Sequence, residues 1–355
     1  MKNVILAHAS RYPEMQVQDY IKLIYQSEFG GSHFVADEAE ALAHLREECA
    51  ALPKATLHER TPFEPVGCGM ERLYLSRTLL EHVSMHTINR MAILSANAKH
   101  GSLMHFKQKL NVLRALSEAG EIPPAADVLD EYLSEYEASG YPSVHHTDEY
   151  RAAYHPVYRL VTRRFRQCWY VIELIESLMK TRTSRIILAI DGPAAAGKST
   201  LSALLASLYD CNVFHMDDFF LPFALRTEET ANTPGGNMDF ARFRREVGGK
   251  MRRNSPFVYH RYDCRRNSLG ETVYVTPKRL NIVEGSYSMH PDLADLYDGA
   301  VFVTIDAETQ RARVITRNQP STAKRYLEEW IPRENEYFDA CGVEERCTVT
   351  LRTDL

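Results

Sequence analysis

The chain has 355 residues, 45% of them hydrophobic and 25% charged, with a formal net charge of −5. This length suggests two globular domains, and the mild acidity argues against a general nucleic-acid binder. Seven cysteines, Cys49, Cys68, Cys168, Cys211, Cys264, Cys341 and Cys347, contain no CxxC pair and read as reduced thiols, not a zinc site or disulfide framework. No apolar run is long enough for a signal peptide or a membrane span, so the expected location is cytoplasmic.

Residues 1–180 predict an all-α domain. Val17, Ile21 and Ile24 mark one helix face that ends at Gly30-Gly31, before a lone His33. Asp37 and Glu40 have capping-box spacing and open the helix AEALAHLREECAAL. A Pro- and Gly-containing connection, 53–69, follows. Helical periodicity then returns over 72–97, again from Phe106 to Leu116 before Gly120, and again over 124–137 before Gly140. The stretch 160–179 reads as one long helix. The junction behind it lacks Pro and Gly, which argues against a flexible tether.

Residues 141–159 concentrate Tyr, His and Arg. They read first as a corner between helices whose polar rings satisfy local backbone groups. A ligand surface formed by His145, His146 and His155 is the alternative. A metal site is less favoured, because the adjacent histidines have no acidic partner at ligand spacing.

From Arg185 the pattern changes to strands alternating with helices, which predicts a parallel α/β sheet over 181–355. The expected strands are 186–190, 211–216, 280–283, 300–305 and 347–351. Between the first strand and the next helix stands Gly192-Pro-Ala-Ala-Ala-Gly197-Lys198-Ser199-Thr200, a GxxxxGK[ST] loop in its proper context. The glycines permit a backbone that aims N–H groups inward, and the helix N-terminus adds its positive end. Lys198 would neutralise the outer phosphates of ATP and Ser199 would ligate Mg²⁺. The loop residues Gly192, Ala194, Ala195, Ala196, Gly197, Lys198, Ser199 and Thr200 are therefore the expected nucleotide cradle. Ligands of such sheets lie beyond the carboxyl ends of the strands. There the second strand delivers Asp217-Asp218 and the third delivers Glu284.

These residues carry a resemblance. GPAAAGKST, HMDDFF, Asn237-Met-Asp239, Tyr262-Asp263, IVEGSY and the stretch from Thr304 to Arg317 resemble the uridine kinase and phosphoribulokinase group of P-loop small-molecule kinases. The resemblance covers 185–355 only. It implies a five-stranded parallel sheet flanked by helices, with Asp217 as the base on the attacking hydroxyl and Glu284 beside Mg²⁺. It further implies that Asp239, Tyr262 and Asp263 bind the substrate and that Arg313 and Arg317 are lid arginines. Asp218 reads as a cap of a helix or turn. Between Arg311 and Arg333 there are six basic and two acidic residues, as a lid over an anion needs. The chain departs from uridine kinases after Tyr262-Asp263, where the base-reading His is missing, and its lid is short.

The expected activity is transfer of the γ-phosphate of ATP to a hydroxyl of a small molecule, with a nucleoside or ribosyl compound as the favoured acceptor. The alternative is an ATP-driven switch whose helical domain binds a partner. Carboxylates arranged for an acceptor favour the enzyme. Neither nucleic acid nor membrane is an expected partner, and homo-oligomers stay open.

Overall fold

The computed structural model describes residues 1–31, 37–52, 62–99 and 101–353; His33 and most of the 53–69 connection lie outside them. The chain divides into two compact units, Met1–Gln167 and Cys168–Leu355. The helix Trp169–Thr181 therefore goes with the second unit, where Leu174 and Leu178 close on Gly299 of its sheet.

The first unit carries the expected helices Val17–Phe29, Glu38–Ala50, Leu103–Glu118 and Ala126–Ala138. Asp37 caps the second of these through the N–H groups of Ala39 and Glu40. The unit is not all-α, which corrects the sequence expectation. Three short strands, β1 (Phe63–Gly67), β2 (Met70–Tyr74) and β3 (Tyr158–Thr162), pair antiparallel in the order β1-β2-β3. Their signal is hidden because charged residues are inside: Glu64, Glu71 and Arg72 are all buried, which erases the apolar–polar alternation. The Arg72 guanidinium is held by Gln26 at 2.9 and 3.0 Å and lies over the ring of Tyr158. The helix expected from residue 72 consequently starts at Arg77. It breaks at Ser84, the cap of Met85–Ala98. The long helix expected over 160–179 is instead β3, a short helix Arg163–Gln167, and Trp169–Thr181.

The aromatic, His-rich segment is stitched into this unit. The carbonyls of Val144 and His145 accept from Lys22 and Gln18 on the helix Val17–Phe29. His146 is buried, stacked on Tyr150, with Nδ1 2.7 Å from Asp19 and Nε2 2.8 Å from the Tyr158 hydroxyl. Ionised Asp19 and the phenol fix the neutral tautomer that donates from Nδ1 and accepts at Nε2. Among the described residues no cluster with metal-holding composition occurs. The structural-corner reading fits His146; His145 and His155 are exposed.

A pH dependence follows. Burial depresses His146 and His8 from the ordinary 6.5 to about 4. Between those values the unfolded chain binds protons that the folded chain does not, so stability falls as pH drops from about 6.5 towards 4. Each group contributes a slope of at most about 1.4 kcal/mol per pH unit. The melting temperature should decline across this window, and His146→Gln should flatten part of the decline. An unchanged profile in that variant would remove His146 as a contributor.

The second unit holds the five expected strands in one parallel sheet, ordered β10-β9-β4-β8-β5: β4 (Ile186–Asp191), β5 (Cys211–His215), β8 (Leu280–Glu284), β9 (Gly299–Thr304) and β10 (Val349–Arg352). β4 and β8 are buried at every position, as the centre of a sheet covered on both faces requires. The register aligns Ile190, Glu284 and His215 across three neighbouring strands. Just beyond them the loops of one edge begin. A hairpin that the sequence reading did not foresee, β6 (Phe257–Asp263) with β7 (Ser268–Val275), packs beside the turn Met216–Phe219.

Candidate active site

The phosphate loop leaves β4 at Asp191 and runs into the helix Lys198–Leu208. Gly192 has φ +139°, and a Cβ there would meet the Val303 carbonyl oxygen at 2.1 Å. Only glycine allows the chain to pass so close to β9. Asp191 is buried and organises the exit, accepting from the N–H groups of Gly192 (2.7 Å) and Met289 (2.8 Å) and from the Tyr337 hydroxyl (2.8 Å). Burial pushes its carboxyl up, against those hydrogen bonds.

Three consecutive carbonyls of the loop are held by side chains. Ala194 O accepts from Gln310 at 2.9 Å, Ala195 O from Arg313 at 3.2 Å, and Ala196 O from Thr353 at 2.7 Å. In a trans peptide the N–H of the following residue points opposite to the carbonyl. Fixing these carbonyls therefore turns the N–H groups of Ala195, Ala196 and Gly197 to the other side of the loop, where a phosphate cradle needs donors. Ala196 N–H also reaches Pro193 O at 3.2 Å. Arg313 is thus engaged with the loop backbone and with Thr353; the resemblance implied an arginine standing over the phosphates. Arg317 is exposed, with its guanidinium 5.9 Å from the Tyr326 ring centroid.

Lys198 is buried. Its ammonium donates to Gly192 O (2.6 Å), Pro193 O (2.9 Å) and Ser286 Oγ (3.2 Å). Ser199 and Thr200 are exposed on the first turn of the helix. Ser199 Oγ lies 3.2 and 3.3 Å from the two carboxylate oxygens of buried Glu284. A hydroxyl beside a carboxylate is the all-oxygen donor pair that suits Mg²⁺. His215, at the end of β5, bonds the same carboxylate through Nδ1, and that bond raises the imidazole pKa against the effect of burial.

Asp217 lies on the turn after β5. It is exposed, and the charges of Lys198, Glu284, Asp218 and His215 all act on its carboxylate. Loss of water around the carboxylate pushes its pKa up, Glu284 and Asp218 push the same way, and Lys198 and His215 oppose them. Asp218 is not a cap; it takes the Tyr259 hydroxyl (3.1 Å) and Arg261 Nε (3.3 Å) and so ties the turn to β6. The three residues implied for substrate are differently placed. Asp239 bonds through its N–H to Phe219 O, caps the Arg242 N–H and stands 3.5 Å from Arg242 Nε. Tyr262 lies edge-on to Phe220 and donates its hydroxyl to Asn267 at 2.6 Å. Asp263 caps the hairpin turn through the N–H groups of Arg265 and Arg266. Asp239 and Tyr262 thus adjoin the Asp217 turn, while the Asp263 carboxylate is spent on its own turn.

The segment read as a lid is helical from Pro320 onward and contains a π-turn, Tyr326–Trp330, before Ile331–Cys341. π-turns recur at functional sites. From the last of these helices Glu334 enters the site, buried, accepting from Ala194 N–H and from Ser286 Oγ, each at 2.7 Å. Sequence reasoning missed Glu334, Gln310, Ser286 and Thr353. DGP and EGSY flag Asp191 and Ser286 by their neighbours, but an isolated Glu on a helix carries no signal.

No family model matches the chain, and no curated protein matches it. Among solved structures it is similar to a possible uridine kinase from Bacillus stearothermophilus, with 21% identity over 53% of this chain and 98% of that one and a TM-score of 0.41. It is also similar to a candidate fructose transport system kinase from Silicibacter sp. TM1040, with 21% identity over 52% of this chain and 98% of that one and a TM-score of 0.43.

Proposed function

We propose that the chain is a Mg²⁺-ATP-dependent phosphotransferase that moves the γ-phosphate to a hydroxyl of a small molecule, with a nucleoside or related ribosyl compound as the favoured acceptor. The observation that carries this reading is the convergence at one sheet edge of Lys198 and Ser199 from behind β4, Glu284 from β8 and Asp217 from behind β5. Phosphoryl transfer is mostly positioning and charge stabilisation, with a base for the attacking hydroxyl. The loop N–H groups and Lys198 would hold the phosphates. Ser199 and Glu284 would hold Mg²⁺, which supplies charge neutralisation between the phosphates. Asp217 takes the proton of the acceptor hydroxyl at its carboxylate, and a raised pKa makes it a stronger base. Of the two arginines Arg313 and Arg317, Arg317 is the exposed one, on the helix Ala307–Arg317, and would face an incoming anion.

The test is ADP release by the full-length protein with Mg²⁺-ATP over nucleosides, ribosides, free sugars and hydroxy acids. Stimulation by one acceptor class well above basal hydrolysis is expected. Selective response to free sugars or hydroxy acids would keep the transfer chemistry and replace the ribosyl acceptor.

A further inference from the structure

A buried carboxylate beside a phosphate loop needs explaining. It repels the anions the loop would hold, and burial of a charge costs free energy unless it is well bonded. Hydrophobic contact with the sheet would anchor the helix Ile331–Cys341 more cheaply, and Tyr337 on the same helix already bonds Asp191. Burial indeed holds the Glu334 carboxyl above its ordinary pKa, with Lys198 acting against it.

The bonds around Glu334 form a continuous path. Ser286 has one proton and two acceptors in reach, Glu334 at 2.7 Å and Gly192 O at 3.1 Å. The shorter, charge-assisted bond takes it. The Ser286 oxygen then accepts from Lys198 Nζ at 3.2 Å. The path runs from the Lys198 ammonium to Ser286, to one oxygen of Glu334, and through the other oxygen to the N–H of Ala194 at the loop entry. We propose that Glu334 is a positioning residue of the phosphate loop, setting Lys198 through Ser286 and the loop entry through Ala194. This rests on the phosphotransferase reading. The role is one of hydrogen-bond placement, and the negative charge is its cost.

That distinction makes a prediction. In Glu334→Gln the amide oxygen can still accept from Ala194, and the amide nitrogen can donate to Ser286. The Ser286 proton turns to Gly192 O, and the Ser286 oxygen accepts from the amide on one lone pair and from Lys198 on the other. Gln should therefore retain most of the function, whereas Glu334→Ala loses both bonds.

The measurement is calorimetric binding of Mg²⁺-ATP and Mg²⁺-ADP to the full-length protein, with acceptor-stimulated turnover and melting temperature alongside. Glu334→Ala should weaken ATP binding about 10- to 100-fold and ADP binding less, because Lys198 serves the outer phosphates. Ser286→Ala, which cuts only the Lys198 branch, should show a smaller loss of the same kind. It carries the test should the Glu334→Ala protein fail to fold. Glu334→Gln should stay within several-fold of wild type. Wild-type ATP affinity in either Ala variant would overturn the inference, as would Gln being as impaired as Ala. Lys198→Ala separates the two levels of argument. Loss of ATP binding there with none in Glu334→Ala or Ser286→Ala sinks only the positioning role, whereas a wild type that binds no ATP sinks the phosphotransferase reading.

Discussion

Lys198→Ala is expected to abolish turnover with every acceptor, by about 10²- to 10³-fold or more, the usual worth of one preorganised charge-stabilising group. The effect should be independent of the acceptor, because Lys198 belongs to the nucleotide half of the site. Stability should fall as well. The ammonium is buried and serves Gly192 O, Pro193 O and Ser286 Oγ, and stranding buried acceptors costs about 1–3 kcal/mol each when nothing replaces the donor. ATP should no longer raise the melting temperature of the variant. Normal turnover in Lys198→Ala would contradict the assignment of the loop.

Asp217→Asn is expected to act on the other half. Asn keeps the size and one acceptor oxygen but takes no proton. Transfer should therefore drop by about 10²- to 10⁴-fold, the range of a positioned general base, while Mg²⁺-ATP affinity stays within a few-fold. The substitution also removes one charge from a cluster that contains Glu284 and Asp218. The melting temperature should consequently hold or rise, the opposite of a residue retained for stability. A variant that loses activity and stability together would point to a structural role for Asp217.

Much of the second unit is legible in the sequence, because a fully buried parallel strand is a continuous apolar run and the phosphate loop announces itself by its glycines. The residues from 186 to 190 and the glycine at 192 left little choice of conformation. The hairpin β6–β7 is less legible, since β7 is exposed at most positions and looks like a loop. The first unit misleads for the reverse reason. Glu64, Glu71 and Arg72 are buried in strands, so charge stands where the alternation rule expects apolar residues. In the site, motif residues are legible and their supports are not. Gln310, Thr353 and Glu334 come from separate elements that only the fold brings to the loop. Arg313 shows the converse: a motif match locates the residue correctly in the chain but does not reveal that its guanidinium holds a backbone carbonyl.

The central claim is that Asp217 and the phosphate loop act together on an acceptor hydroxyl. Its most direct test is ADP release from Mg²⁺-ATP with and without acceptor, for wild type and Asp217→Asn, with ATP binding measured on both. The account predicts acceptor-stimulated release in the wild type, its loss by at least about 10²-fold in the variant, and similar ATP affinity in the two. An ATP-driven switch would show ATP binding with no acceptor stimulation across the whole panel. That result, or stimulation that survives Asp217→Asn, would contradict the account.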